Sequence, residues 1–276
     1  MAGIFRCADA VFPLGERTYL MGILNLTPDS FSDGGLYTTR DAAIGRALEM
    51  QSQGADLIDV GAVSTRPGSV PADEAEELRR LSFLAELCAA LSVPVSVDTY
   101  NPGTAEYALR CGAKVINDVS GRFNPAMAAL VRDSGCGYIV MHSPTANAGE
   151  DGSYPDGVLP HVEDFFSRMR ETLTGAGIPE ENLCFDPGFG FGKNTGDNLA
   201  LLQGLDRLKK DGVCLMSALS RKRFVRELGA SPMDDCDAAT AAGCVISVQK
   251  GADFLRVHDV KNCARAARFA DAVYRS

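Results

Sequence analysis

Arg256 and His258 stand two apart with Val257 between them, so on a β-strand both side chains point to one side and Val257 to the other. Arg66 and Lys222 add two cations near predicted strand ends. Three such groups in a chain of net charge −9 suit a bound phosphate or carboxylate. The alternative for Arg256 is an internal pair with a carboxylate such as Asp59 or Asp98. A second stretch with chemical potential is Asp186-Pro-Gly-Phe-Gly-Phe-Gly-Lys193. It is not a Walker loop, because Pro187 and Asn194 occupy the positions that need Gly and Ser or Thr. Nor does it open a first βα unit, as a dinucleotide fingerprint should. Its glycines either let a ligand approach beside Asp186 or shape a tight turn. The chain has three histidines, His142, His161 and His258, without H-x-x-x-H spacing, which argues against a histidine metal site. Ser220 lies in Leu-Ser-Arg-Lys rather than a G-x-S-x-G elbow, so it either touches a ligand or caps the helix that follows.

Strands must hold these residues. Gly22–Gly35 reads as an unalternated apolar strand that stops at Asn25 and spills into a polar, glycine-ended loop, as expected of a strand covered on both faces. Taken in order, the pattern predicts strands over Tyr19–Leu26, Leu57–Val60, Val93–Val97, Lys114–Ile116, Tyr138–Met141, Leu183–Phe185, Val213–Ser217 and Phe254–Val257. Helical spacing fills the gaps at Arg40–Gln53, Ala72–Leu91, Pro102–Arg110, Pro125–Asp133, Leu159–Ala176, Asn198–Lys210, Arg221–Leu228, Ala238–Lys250 and Lys261–Tyr274. Gly-Ala recurs at 54, 112 and 251, each time at a helix stop before a strand. Eight such units predict an α/β fold of one closed (β/α)8 TIM barrel over residues 1–276. Every predicted strand ends in a polar residue: Asn25, Asp59, Asp98, Asn117 or Asp118, His142, Asp186, Ser220 and His258. In such barrels the active site sits at that end.

With 46% hydrophobic residues, 276 residues can bury a sizeable core. The acidic balance disfavours a general nucleic-acid or membrane-surface role. Nine cysteines without a C-x-x-C pair suggest reduced thiols in a cytoplasmic protein rather than disulfides or a zinc site. No run approaches the roughly 18 apolar residues of a membrane span.

Taken together, several motifs resemble the dihydropteroate synthase family. They are Met21-Gly-Ile-Leu-Asn-Leu-Thr-Pro-Asp-Ser-Phe-Ser-Asp-Gly-Gly35, Ser64-Thr-Arg-Pro-Gly68, Ser96-Val-Asp-Thr99, Ile116-Asn-Asp-Val119, Asp186–Lys193, Ser220-Arg-Lys222 and Arg256-Val-His-Asp-Val260. The resemblance implies a pterin-binding TIM barrel that condenses 6-hydroxymethyl-7,8-dihydropterin diphosphate with p-aminobenzoate, giving 7,8-dihydropteroate and diphosphate. By that resemblance Asp98, Asn117, Met141, Asp186, Phe191 and Lys222 hold the pterin. Asn25, Arg256 and His258 hold the diphosphate, Asn25 also through Mg2+. Phe31, Thr65, Arg66, Pro67 and Ser220 shape the p-aminobenzoate side, where sulfonamides compete in this family. The implied mechanism is dissociative: diphosphate leaves first and the arylamine captures a pterin methylene cation, with Asp98, Lys222, Arg256 and His258 as the catalytic set. Loops 27–38 and 62–73 are expected to close over the second substrate, and a homodimer is expected through the apolar helices near Ala239–Val248 and Ala264–Val273.

Three departures from the family pattern stand out: Val63 replaces a glutamate, Ala218 replaces a glycine, and a Met-Gln pair is missing after His142. They leave room for a pterin-binding paralogue without synthase activity. A methyltetrahydrofolate methyltransferase serving a corrinoid protein would need neither Ser64-Thr-Arg-Pro nor Arg-x-His. A non-enzymatic barrel would need no cations at its strand ends.

Overall fold

A computed structural model of the chain describes residues 3–26, 36–62, 73–144, 152–210, 212–229 and 236–275. The expected barrel is present. Eight parallel strands, β3 (Tyr19–Asn25), β4 (Leu57–Gly61), β5 (Val95–Asp98), β6 (Val115–Asp118), β7 (Gly137–Met141), β8 (Leu183–Asp186), β9 (Cys214–Ser217) and β10 (Phe254–Val257), run in sequence order. The barrel closes where β10 pairs with β3. All but Asn25 of β3 are buried, as its unalternated apolar run requires.

The helices around it are α1 (Leu36–Ser52), α2 (Glu74–Arg80), α3 (Leu84–Ala90), α4 (Pro102–Arg110), α5 (Pro125–Ser134), α6 (Val158–Gly175), α7 (Thr195–Gln203), α8 (Leu205–Leu208), α9 (Arg223–Leu228), α10 (Asp237–Gln249) and α11 (Val260–Tyr274). The recurrent Gly-Ala is a helix stop. Gly54, Gly112 and Gly251 have φ of +105°, +104° and +87°, and the following alanine N–H returns to the carbonyl five residues earlier, as from Ala55 to Met50. Two helices expected to be continuous are broken. Ala72–Leu91 splits around Ser82 into α2 and α3, and Asn198–Lys210 splits at Gly204 into α7 and α8. Periodicity carries across such a break, so spacing alone does not reveal it.

A hairpin that the strand pattern did not predict, β1 (Ile4–Cys7) with β2 (Ala10–Pro13), lies across the N-terminal end of the barrel. Its Phe5 and Phe12 meet Tyr19 and Phe254, the first residues of β3 and β10. The Phe12–Tyr19, Phe12–Phe254 and Phe5–Phe254 ring centroids are 5.0, 5.2 and 5.7 Å apart. With Met21, Leu57, Val115, Ile139, Cys184, Cys214 and Met216 they make an apolar floor. Polar inward side chains are thus confined to the opposite end. Phe254→Ala should lower unfolding free energy by about 3–5 kcal/mol in urea titration; a loss below about 1 kcal/mol would show that the floor repacks without it.

Candidate active site at the barrel mouth

Strand alternation and register decide which polar residues meet. Asp59 pairs in register with Ser96, Asp98 with Asn117, and Met141 with Asp186, while Arg256 is set beside Met21. From β10, Arg256 reaches β4 and β5. Its Nε donates to Asp59 Oδ2 at 2.7 Å, and its Nη2 lies 2.6 Å from the same oxygen and 3.0 Å from Asp98 Oδ2. The internal pairing weighed for Arg256 is therefore realised, with both carboxylates. Asn117 Nδ2 donates to Asp59 Oδ2 at 3.1 Å. Asp59 is fully buried and its Oδ1 has no partner among the described residues. Asp59 orients both Arg256 and Asn117, and of these the contact with Asn117 was not expected from the sequence. The signal available was its inward parity with Asp98 and Asn117.

Opposite this cluster, Asp186 Oδ1 accepts the Gly188 N–H at 2.7 Å. The turn requires glycine at 188: φ is +68°, and a Cβ there would lie 2.0 Å from the His142 carbonyl oxygen. Lys222 Nζ sits 4.2 Å from the centroid of the Phe191 ring. Burial dominates the charges. It pushes the Asp98 carboxyl up to about 7, against Arg256 and with help from Asp59, and it also raises Asp186. Burial and the neighbouring Arg256 pull Lys222 down to about 8, with Asp186 and Asp98 opposing. Arg256 is also penalised by burial, but Asp59 and Asp98 outweigh that and raise its pKa.

At the β9 and β10 ends, Ser220 Oγ is 3.0 Å from His258 Nδ1 and accepts the His258 backbone N–H at 3.2 Å. Arg46 Nη2 donates to the His258 carbonyl at 3.3 Å. Arg221 between the two site candidates has φ +58° and turns outward to a two-pronged pair with Asp237, at 2.8 Å on each prong. That kink lets Ser220 meet His258 while Lys222 enters the mouth. Asn25 ends β3, half-buried.

Two strand-end candidates face away. Asp118 accepts from Tyr138 Oη at 2.7 Å and from the Ser120 N–H at 2.8 Å, so Asn117 is the mouth residue of the pair. His142 packs outside against the rings of His161 and Phe165, with centroids 5.2 and 5.0 Å away. Burial, then Lys193, pulls His142 down to about 2, and its Nδ1 lies 2.9 Å from Lys193 Nζ. Burial likewise pulls Lys193 down to about 7. Phe31, Thr65, Arg66, Pro67 and Val63 lie outside the described residues, as does most of each of the two expected closing loops; Thr38 belongs to α1.

Known proteins resemble this chain in sequence and fold. Residues 21–258 match the family described as pterin binding enzyme. A dihydropteroate synthase of Bacillus subtilis is 40% identical over 260 residues, which is 94% of this chain and 89% of the relative. The chain belongs to the dihydropteroate synthase family. A synthase of Xanthomonas albilineans solved with 4-aminobenzoic acid superposes with a TM-score of 0.91 at 39% identity, covering 99% of this chain and 98% of the other. The same organism's synthase in complex with 7,8-dihydropteroate gives 0.86 at 38% identity, covering 98% of both chains. Of the residues that the synthase motifs single out, Asn25, Asp98, Asn117, Met141, Asp186, Phe191, Ser220, Lys222, Arg256 and His258 all stand on strands β3 and β5–β10 or in the loops that follow them.

The buried carboxyl of Asp98 makes stability pH-dependent. Its folded pKa lies above its ordinary 3.8, so its contribution is full below about pH 4 and is lost as pH rises through about 7. Asp98→Asn should therefore flatten the fall in urea-measured stability between those two limits; an unchanged slope would show that Asp98 titrates normally.

Proposed function

We propose that this chain is a dihydropteroate synthase, joining 6-hydroxymethyl-7,8-dihydropterin diphosphate to p-aminobenzoate with loss of diphosphate. The observation that carries this reading is the division of one barrel mouth into a hydrogen-bonding wall and a cationic wall, in a member of this family. On the first wall, a pterin presents an adjacent ring N–H and amino group, which the Asp186 carboxylate accepts as a pair. Asn117 and Asp98 complete the edge, with Met141 and Phe191 against the ring faces. Lys222, held over Phe191, donates to a pterin acceptor.

On the second wall, Arg256 uses Nε and Nη2 on Asp59 and Asp98, which leaves Nη1 without a protein partner among the described residues. That side of the fork, His258 and Asn25 face the diphosphate. No Ser or Cys nucleophile is required. Loss of diphosphate separates charge, so Arg256 and His258 favour the leaving anion and the Asp98 carboxylate favours the methylene cation. Electrostatic contacts of this kind contribute about 3 kcal/mol each. The weakly nucleophilic arylamine then captures the cation, forming the C–N bond, and its nitrogen releases one proton to water, with Ser220, Phe31, Thr65, Arg66 and Pro67 on its side. Mg2+ fits this donor set through the hard amide oxygen of Asn25, since magnesium needs only one or two protein oxygens when phosphates and waters complete its shell. When bound it supplies charge neutralisation for the diphosphate oxygens.

All 276 residues form a single domain on this reading, acting in the cytoplasm. The partner is a second copy of the chain. Ile246 on α10 and Phe269, Val273 and Tyr274 on α11 leave an apolar face in water, with Phe269 72% exposed. Among the described residues, no helix is long and apolar enough to cross a membrane.

The test is diphosphate release with Mg2+, with and without p-aminobenzoate, with the product weighed by mass spectrometry. Dihydropteroate formed in step with diphosphate supports the synthase; pterin binding without product marks the inactive paralogue. Arg256→Ala should lower turnover at least about tenfold, and a near-normal rate would remove Arg256 from this role. Phe269→Asp should shift sedimentation from dimer to monomer, whereas an unchanged species would place any interface elsewhere.

A further inference from the structure

Lys193 is the best-defined buried ionisable group that the chemistry above leaves unused. It is 2% exposed and forms no salt bridge among the described residues. Its Nζ instead lies 2.8 Å from the Phe191 carbonyl, 2.9 Å from the Gly188 carbonyl and 2.9 Å from His142 Nδ1. An ammonium carries three N–H groups, and here each has an acceptor at ordinary length. The His142 carbonyl is a more distant fourth at 3.4 Å.

The acceptors belong to the turn that carries Asp186 and Phe191. That turn is neither strand nor helix from Pro187 to Asn194, so its carbonyls have no ladder to satisfy them. Its other ties include the Gly188 N–H to Asp186, the Phe191 N–H to the Gly188 carbonyl, the Gly190 N–H to Asn198 Oδ1 at 2.8 Å, the Gly192 carbonyl to the Gly152 N–H and Tyr154 Oη at 2.8 Å each, and the Lys193 carbonyl to Asn198 Nδ2 at 3.2 Å. Two loop carbonyls that would otherwise diverge converge on one cation. The His142 ring fixes that cation from the β7 end, so the turn is fastened to the neighbouring strand.

We propose that Lys193 is a positioning residue for the pterin: its ammonium gathers the Gly188 and Phe191 carbonyls and thereby holds the Asp186 carboxylate and the Phe191 ring in place, without touching substrate. This rests on the assignment of Asp186 and Phe191 to the pterin. Removing the ammonium orphans the Phe191 carbonyl and His142 Nδ1 and leaves the Gly188 carbonyl with the Phe191 N–H alone, and the turn relaxes at the residues that grip the pterin. The p-aminobenzoate side, built from other loops, is left as it was.

The experiment is steady-state kinetics and pterin titration of Lys193→Met beside the wild-type enzyme, with thermal unfolding recorded for both. Lys193→Met should raise KM for the pterin diphosphate, and Kd for 6-hydroxymethyl-7,8-dihydropterin, at least about tenfold while KM for p-aminobenzoate stays within about threefold. A purely structural lysine would lower the melting temperature without that split. Should Lys193→Met fail to fold, Lys193→Gln, which keeps two N–H donors in the pocket, carries the same comparison. Equal pterin affinity in a folded variant, or an equal rise for both substrates, overturns the inference alone. Failure of the wild-type enzyme to bind the pterin overturns it together with the reading beneath it.

Discussion

Three carboxylates, Asp59, Asp98 and Asp186, are taken out of water at one end of a barrel whose other end is closed by packed rings. The rest of the mouth follows from keeping them there. Isolated buried carboxylates cost several kcal/mol each, and among the described residues the cations that share the space are Arg256 and Lys222. Arg256 therefore spans from β10 to β4 and β5 to serve two acids at once. The balance is incomplete. Asp98 is left with a carboxyl raised to about 7 and Lys222 with an amine lowered to about 8, in the range where small changes in surroundings change charge. A cationic ligand edge or a diphosphate entering this mouth meets groups that are already poorly solvated, where electrostatic contacts are strong.

The alternation of the strands separates chemistry from structure with little ambiguity. Asp59, Asp98, Asn117, Met141, Asp186 and Arg256 share the inward parity, while the adjacent Asp118 and His142 take the outward one and are absorbed by Tyr138 Oη and Lys193. Where two site candidates flank a single loop residue, as Ser220 and Lys222 flank Arg221, the backbone departs from ordinary geometry instead. Arg221 stands at positive φ and its side chain pairs with Asp237. Ala218 at the end of β9, a departure from the family pattern, is buried.

Much of this was legible from residue order. Apolar runs ending in a polar residue gave all eight barrel strands within a few residues, and Arg-x-His and the Asp186–Lys193 glycines fall at the strand ends of the barrel mouth. What escaped had physical reasons. The β1–β2 strands form an antiparallel hairpin that is not one of the strand–helix units, so that repeat did not reveal them, yet Phe5 and Phe12 on them seal the barrel floor. Asp118 and Asn117 are equally polar, and only the pairing register separates them. Asp59 was legible as a strand-end carboxylate and a candidate partner of Arg256, but its hold on Asn117 shows only once β4 and β6 are brought to one mouth. Lys193 closes a glycine-rich motif whose carbonyls converge only after the turn has folded.

The most direct test of this arrangement is the equilibrium affinity of 6-hydroxymethyl-7,8-dihydropterin for the wild-type chain and for Asp186→Asn, by calorimetric titration. If the mouth is organised around buried carboxylates that accept the pterin edge, the wild type binds and Asp186→Asn, which replaces one acceptor by a donor, binds at least about tenfold more weakly. Equal affinity in the two proteins would contradict the account, because the pterin would then be held somewhere other than the Asp186 wall.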